Sequence, residues 1–168
     1  MNKALKAVVG AAMAAGFVLA GTQAASAVPA HVNSDIGTYT KHEMINKTSK
    51  SGHGSQKLTY CVVARDNATC SVAKTTTATR SIAVDLGFSR AEVAGKLNVS
   101  ASNSVSVQVS CTSPKLKKGE HWTAYPTGKT YSYKLRSTTY RDTGVVISGP
   151  TTSKTLKAFS PDGGIYCQ

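Results

Sequence analysis

From Leu97 to Cys111 the chain alternates between two kinds of side chain. Odd positions read Leu97, Val99, Ala101, Asn103, Val105, Val107, Val109 and Cys111, while even positions hold Asn98, Gln108 and otherwise serine. A period of two with one apolar face predicts a strand with one buried side and one wet side. Further strands are expected at 58–64, from about Thr69 through the threonine-rich 75–79 into Ile82-Ala83-Val84, and at 122–125 and 129–136 on either side of a Pro126-Thr127-Gly128 turn. Short strands at 145–147, 155–159 and 165–167 follow, with turns at Arg141-Asp142-Thr143-Gly144, Gly149-Pro150 and 160–164. One segment breaks the β pattern. Ser89-Arg90-Ala91-Glu92 has the S-x-x-E form of a capping box and Gly95 offers a stop, which predicts a short helical turn near 90–94. About eight strands with regular turn signals predict an all-β, disulfide-stapled, β-sandwich-like single domain.

The two ends of this pattern differ in kind. Lys3 and Lys6 precede an uncharged apolar stretch at 7–21, and Ala25-Ser26-Ala27 has the small-residue form of a cleavage site. Residues 1–27 therefore read as a signal peptide, and the expected localisation is secreted and extracellular. Residues 28–56 are poor in apolar side chains, and 49–55 has the composition of a flexible linker. We expect a disordered N-terminal arm over 28–56 and a β-domain over 57–168.

Cysteine and charge sharpen this picture. Cys61, Cys70, Cys111 and Cys167 form an even set without a C-x-x-C pair, which in an exported chain predicts two disulfides rather than a zinc site. Three pairings are open. The preferred one joins Cys61 to Cys70 across the turn-like Arg65-Asp66-Asn67, and Cys111 to Cys167 across a long loop. The formal net charge is +12, and loss of Lys3 and Lys6 with the leader lowers it to +10. Such a balance favours an anionic cell envelope or an acidic protein partner.

Candidate chemistry is sparse. Asp66, Asp142 and Asp162 fall in turns, Glu92 in the cap, and Asp35 and Glu43 in the arm, which leaves Asp85 and Glu120 as the one acid/base pair to consider. Nothing in the spacing sets them across a cleft as glycoside hydrolysis requires. His31, His42, His53 and His121 lack helical i, i+4 spacing and H-E-x-x-H is absent, so no metal is expected. Ser71-Val72-Ala73-Lys74 has the S-x-x-K form but lacks the S-D-N and K-T-G partners that give it meaning. Three N-x-[ST] sequons, at Asn46, Asn67 and Asn98, are incidental behind a bacterial-type leader.

Lys115-Leu116-Lys117-Lys118 is the one tight basic cluster. In 131–136, aromatic and basic residues alternate onto opposite faces, whereas a platform for single-stranded nucleic acid needs them together. No nucleic acid, cofactor or catalytic residue is expected. Trp122, Tyr125, Tyr131 and Tyr133 are the candidate partner-binding anchors.

Two resemblances bear on function. The Ser/Thr alternation within 75–111 resembles the insertion hairpin of aerolysin-like pore-forming toxins, which implies a strand pair that can enter membranes. The capping box stands where that hairpin would have its tip, and Cys111 tethers the second strand, so the core reading of 97–111 is favoured. The leader, the arm and the small two-disulfide domain look like small secreted actinobacterial β-domain proteins, among them the adaptor subunit of umbrella toxin particles. Leu86-Gly87-Phe88-Ser89 followed by Val93-Ala94-Gly95-Lys96-Leu97 is similar to that group. This likeness implies a non-enzymatic adaptor whose arm docks into another secreted protein within an antibacterial toxin complex. The expectation is therefore a secreted binding module, with a small pore-forming protein inserting 75–111 as the alternative.

Overall fold

The computed structural model describes residues 37–168; the expected leader, and the part of the expected arm at 28–36, lie outside them. The described residues are all-β with one short helix. In chain order they form β1 (Thr38–His53), β2 (Thr59–Val62), β3 (Ser71–Thr79), β4 (Ser81–Ile82), α1 (Arg90–Leu97), β5 (Ser104–Thr112), β6 (His121–Arg141), β7 (Val146–Thr152) and β8 (Leu156–Cys167). All strand pairs are antiparallel. The larger sheet runs β1-β6-β8-β4, with β2 and β7 also paired to β6, and β3 and β5 make a separate two-stranded ribbon.

β6 is the spine of this arrangement. Its 21 residues pair with β1 and β2 and with β8 and β7. The expected turn at Pro126-Thr127-Gly128 is instead strand, because the chain gives that proline a place where its missing N–H is not needed. β2 reaches Ala124 and β1 reaches Thr127, so Pro126 sits in the gap between them, and its carbonyl accepts the Gly54 N–H at 2.8 Å. A Cβ at Gly128 would collide with the Ser160 carbonyl oxygen and Pro161, so only glycine allows β8 to lie this close. The expected turn at 160–164 is also absorbed. β8 continues through it, with Asp162, Gly163 and Gly164 facing the single residue Thr127 as a bulge. Gly149-Pro150, expected as a turn, lies inside β7, where the register against β6 shifts.

The segment Thr38–His53, expected as disordered arm, forms β1. Its pairing runs from Thr38 opposite Arg141 to His53 opposite Thr127, with one bulge where Asn46 takes φ 54°. Composition misleads here because an edge strand draws its stability from a neighbour's backbone ladder rather than from its own apolar content. Side chains then secure it. The His42 ring stacks on Phe88 with centroids 4.2 Å apart, and the Lys47 ammonium donates to the Lys96 carbonyl at the end of α1.

The long alternation is divided between two elements. Leu97 ends α1, Asn98 caps it in the left-handed region, and β5 begins only at Ser104. The capping box is present, with the Ser89 side chain accepting from the Glu92 N–H and the Glu92 carboxylate accepting from the Ser89 N–H. Gly95 does not stop the helix. Asn98 does, donating its backbone N–H to Gly95.

Two apolar clusters result. Phe88, Val93, Ala94 and Leu97 pack with Tyr133, Leu135, Leu156 and Ala158 in the first. Ala78, Val107, Val109 and Cys111 of the ribbon pack with Ala124 in the second. On β6 the first cluster uses odd-numbered side chains and the second uses even-numbered ones. Disulfides join Cys61 to Cys70 and Cys111 to Cys167, the preferred pairing.

Candidate functional site

Cysteine positions fix which side chains face water at the His121 end of β6. On β2, Cys61 and the buried Val63 share one parity, so Tyr60 and Val62 point the other way. On β8, Cys167 and Ile165 pack against the second cluster, which turns Tyr166 outward. Pairing then sets Val62 opposite His121, Tyr60 opposite the buried Thr123, and Tyr125 opposite Tyr166. Tyr60 is 57% exposed, Val62 47% and Tyr166 42%.

The rings meet in two groups. Tyr60 and His121 have centroids 5.4 Å apart. His53, at the end of β1, stacks on Tyr166 at 4.6 Å with planes 11° apart, and meets Tyr125 at 5.5 Å in a tilted arrangement. From His121 to Tyr125 this aromatic face extends about 13 Å along β6, at the usual rise of ~3.3 Å per residue.

At the His53 end the face opens into a cleft of about 500 Å³, lined by Ser51, Gly52, His53, Thr127, Asp162 and Tyr166 among others. Its polar groups are held by the β8 bulge. Asp162 Oδ1 accepts the Thr127 hydroxyl at 2.7 Å and the Gly164 N–H at 2.9 Å. Those two donors, the Thr127 hydroxyl foremost, hold its carboxyl below the usual aspartate range. Oδ2 takes part in neither bond. His53 Nδ1 donates to the Gly54 carbonyl at 3.1 Å, a bond in which Nε2 takes no part. A second hollow, of about 410 Å³, adjoins His53 on the side of Gln56 and Phe159.

Of the four anticipated anchors, the structure brings one to this face. Tyr125 lies in it. Trp122 is half-buried against the second cluster, with its indole Nε1 buried and without a hydrogen-bond partner. Tyr131 packs against the first cluster, and Tyr133 is wholly buried there, its hydroxyl donating to the Ala83 carbonyl. Alternation along β6 accounts for Trp122, which shares the parity of core Ala124. Tyr125 has the same parity as Tyr131, Tyr133 and Leu135, and what separates them is α1, which packs over the 131–135 end of the strand. Tyr60, Tyr166, His53 and His121 were not singled out as anchors. The parity of the neighbouring cysteines carried the signal for Tyr60 and Tyr166.

The remaining candidates are engaged locally. Asp85 Oδ1 accepts the Leu86 N–H and Glu120 Oε2 accepts the Lys117 N–H, each within its own turn. Ser71 and Lys74 have opposite parity on β3, and the Ser71 hydroxyl bonds to that of Thr112. Among the described residues, no three His, Cys, Asp or Glu side chains are grouped to hold a metal ion.

Fold and site thus define a class: an all-β chain stapled by two disulfides, with an exposed aromatic face backed by its second core. The chain matches no protein-family model, no curated protein and no solved structure.

Proposed function

We propose that this chain is a secreted, non-enzymatic binding module, an adaptor that assembles with another exported protein or an anionic cell surface within an antibacterial toxin complex. The observation that carries this reading is the aromatic face of β2, β6 and β8. Rings in contact on an exposed sheet face cost free energy in water and gain it on contact with a partner. Two further features support it: a net charge of +10 once Lys3 and Lys6 leave with the leader suits an acidic counterpart, and two disulfides suit an oxidising compartment. Because Thr38–His53 is strand, that segment is not a free arm.

The test is recovery from native culture fluid under gentle salt, with the mature protein as bait and mass spectrometry as the readout. One exported protein in fixed stoichiometry, lost on Tyr60→Ala, is the expected result. Recovery of the bait alone, together with no retention on whole cells, overturns the reading.

The pore-forming alternative has one observation in its favour. β3 and β5 pair without a break from Ser71–Thr112 to Thr79–Ser104, with Val105, Val107 and Val109 of β5 on one face and Ser104, Ser106, Gln108 and Ser110 on the other. Against it, Cys70 and Cys111 anchor the ribbon beside its outer end, and α1, between the two strands, is packed into the first cluster.

A further inference from the structure

We propose that the cleft between His53, Tyr166 and Asp162 is a saccharide subsite, and that the aromatic face beside it receives a chain of cell-envelope polysaccharide. The inference rests on the binding-module reading and names the ligand class for its surface. A pyranose offers two things to a protein: an apolar face of C–H groups and an equatorial rim of hydroxyls. The cleft offers the complement of both. Tyr166 and His53 form a stacked aromatic wall, tilted against Tyr125. Polar residues line the cleft with it: Asp162, whose Oδ2 is an acceptor outside the bulge bonds, Ser51, whose hydroxyl donates or accepts, and His53, whose Nδ1 alone is engaged by Gly54.

Size and charge agree with this occupant. About 500 Å³ lies within the range of small-ligand sites. The bulge fixes the carboxylate before any ligand arrives, since Oδ1 is already held by Thr127 and Gly164. Little ordering remains to be done on binding. Beyond the cleft, Tyr125, Tyr60 and His121 continue the aromatic surface, so a linear polymer meets further rings as it runs along β6. The basic Lys115–Lys118 cluster, in the segment that leads into β6 at His121, suits a polymer that also carries acidic groups.

The experiment uses the mature chain with both disulfides formed. Probes are insoluble bacterial sacculi, chitin, cellulose, mannan and a uronic-acid polymer, read by co-sedimentation and then by calorimetry with soluble fragments of whichever is retained. Retention on at least one polysaccharide is expected, with affinity falling at least tenfold in Tyr166→Ala. Asp162→Asn is the sharper variant. Its amide oxygen still accepts from Thr127 and Gly164, so the bulge persists while the free acceptor becomes a donor, and a fivefold or greater loss is expected with an unchanged thermal transition.

No retention on any probe overturns the inference, as does retention that neither variant weakens. If an exported protein is recovered in fixed stoichiometry while no polysaccharide binds, the saccharide assignment fails and the binding-module reading stands. If both fail, the reading itself falls.

Discussion

Ser89 and Glu92 show how much a pair of side chains can decide. Glu92 accepts the backbone and side-chain donors at Ser89 and faces His42 Nδ1 at 3.2 Å, and these contacts draw its carboxyl down to about 2. A carboxyl lowered on folding contributes stability that is fully present above its unfolded value near 4.5 and is lost as pH falls toward 2. Glu92→Gln keeps an acceptor without the titration, so its melting temperature should fall less steeply than the wild type's from about pH 5 to about pH 2. Thermal melts across that range check it; parallel curves would refute it. Ser89→Ala removes the other half of the box and should cost about 1 kcal/mol in chemical denaturation. Tyr133 offers a second test at this scale. Tyr133→Phe leaves the Ala83 carbonyl without its donor and should cost about 1–3 kcal/mol, whereas Tyr133→Ala, which also empties the core, should cost about 3–5 kcal/mol.

Among the elements, β1 is where sequence and structure part. Its lysines, serines and glycines read as solvated chain, and nothing in that composition announces a ladder whose other half lies at 127–141. Local pattern was informative where an element supplies its own stabilisation, as in the Ser89 box or in the alternation that became β5. It failed where a partner strand supplies it. The same limit explains β6: Pro126 and Gly128 look like punctuation locally, and only the gap between β1 and β2 and the closeness of β8 make them strand residues. The aromatic face was legible in part, because a tyrosine beside a disulfided cysteine on a strand must point away from the core. His53 was not, since its place depends on β1 being a strand. The β1 edge carries Lys41, Lys47, Lys50 and a bulge, devices that discourage pairing with a second copy. Removing 38–53 should abolish the cooperative transition, while removing 28–36 should leave it in place, both read by thermal denaturation. Cys111–Cys167 closes a loop with a sequence separation of 56, and its paired serine variant should lose about 4 kcal/mol; for the separation of 9 at Cys61–Cys70 the figure is about 2.6 kcal/mol.

Taken whole, the molecule places its two disulfides and second core behind the aromatic face, and its helix over the other end of β6 on the face that Tyr125 shares. That division bears on the pore-forming alternative. Val107 is buried in the second cluster, so Val107→Asp would compromise folding as well as insertion and cannot separate the two. Leakage from dye-loaded vesicles can. The disulfide-intact protein should release no dye, and release that requires reduction would indicate that the ribbon leaves the fold only once untethered. The central position of β6 also sets a timetable for the chain. β1 is made early, yet its pairing partner begins only after β5 is complete, and Thr38 must find Arg141. A nascent strand of this kind has no home while the ribosome is still reading, and closing so large a loop is slow compared with forming α1 or a hairpin. The larger sheet therefore completes only after β6 and β8 have both been made, and β1 stays without its ladder until then.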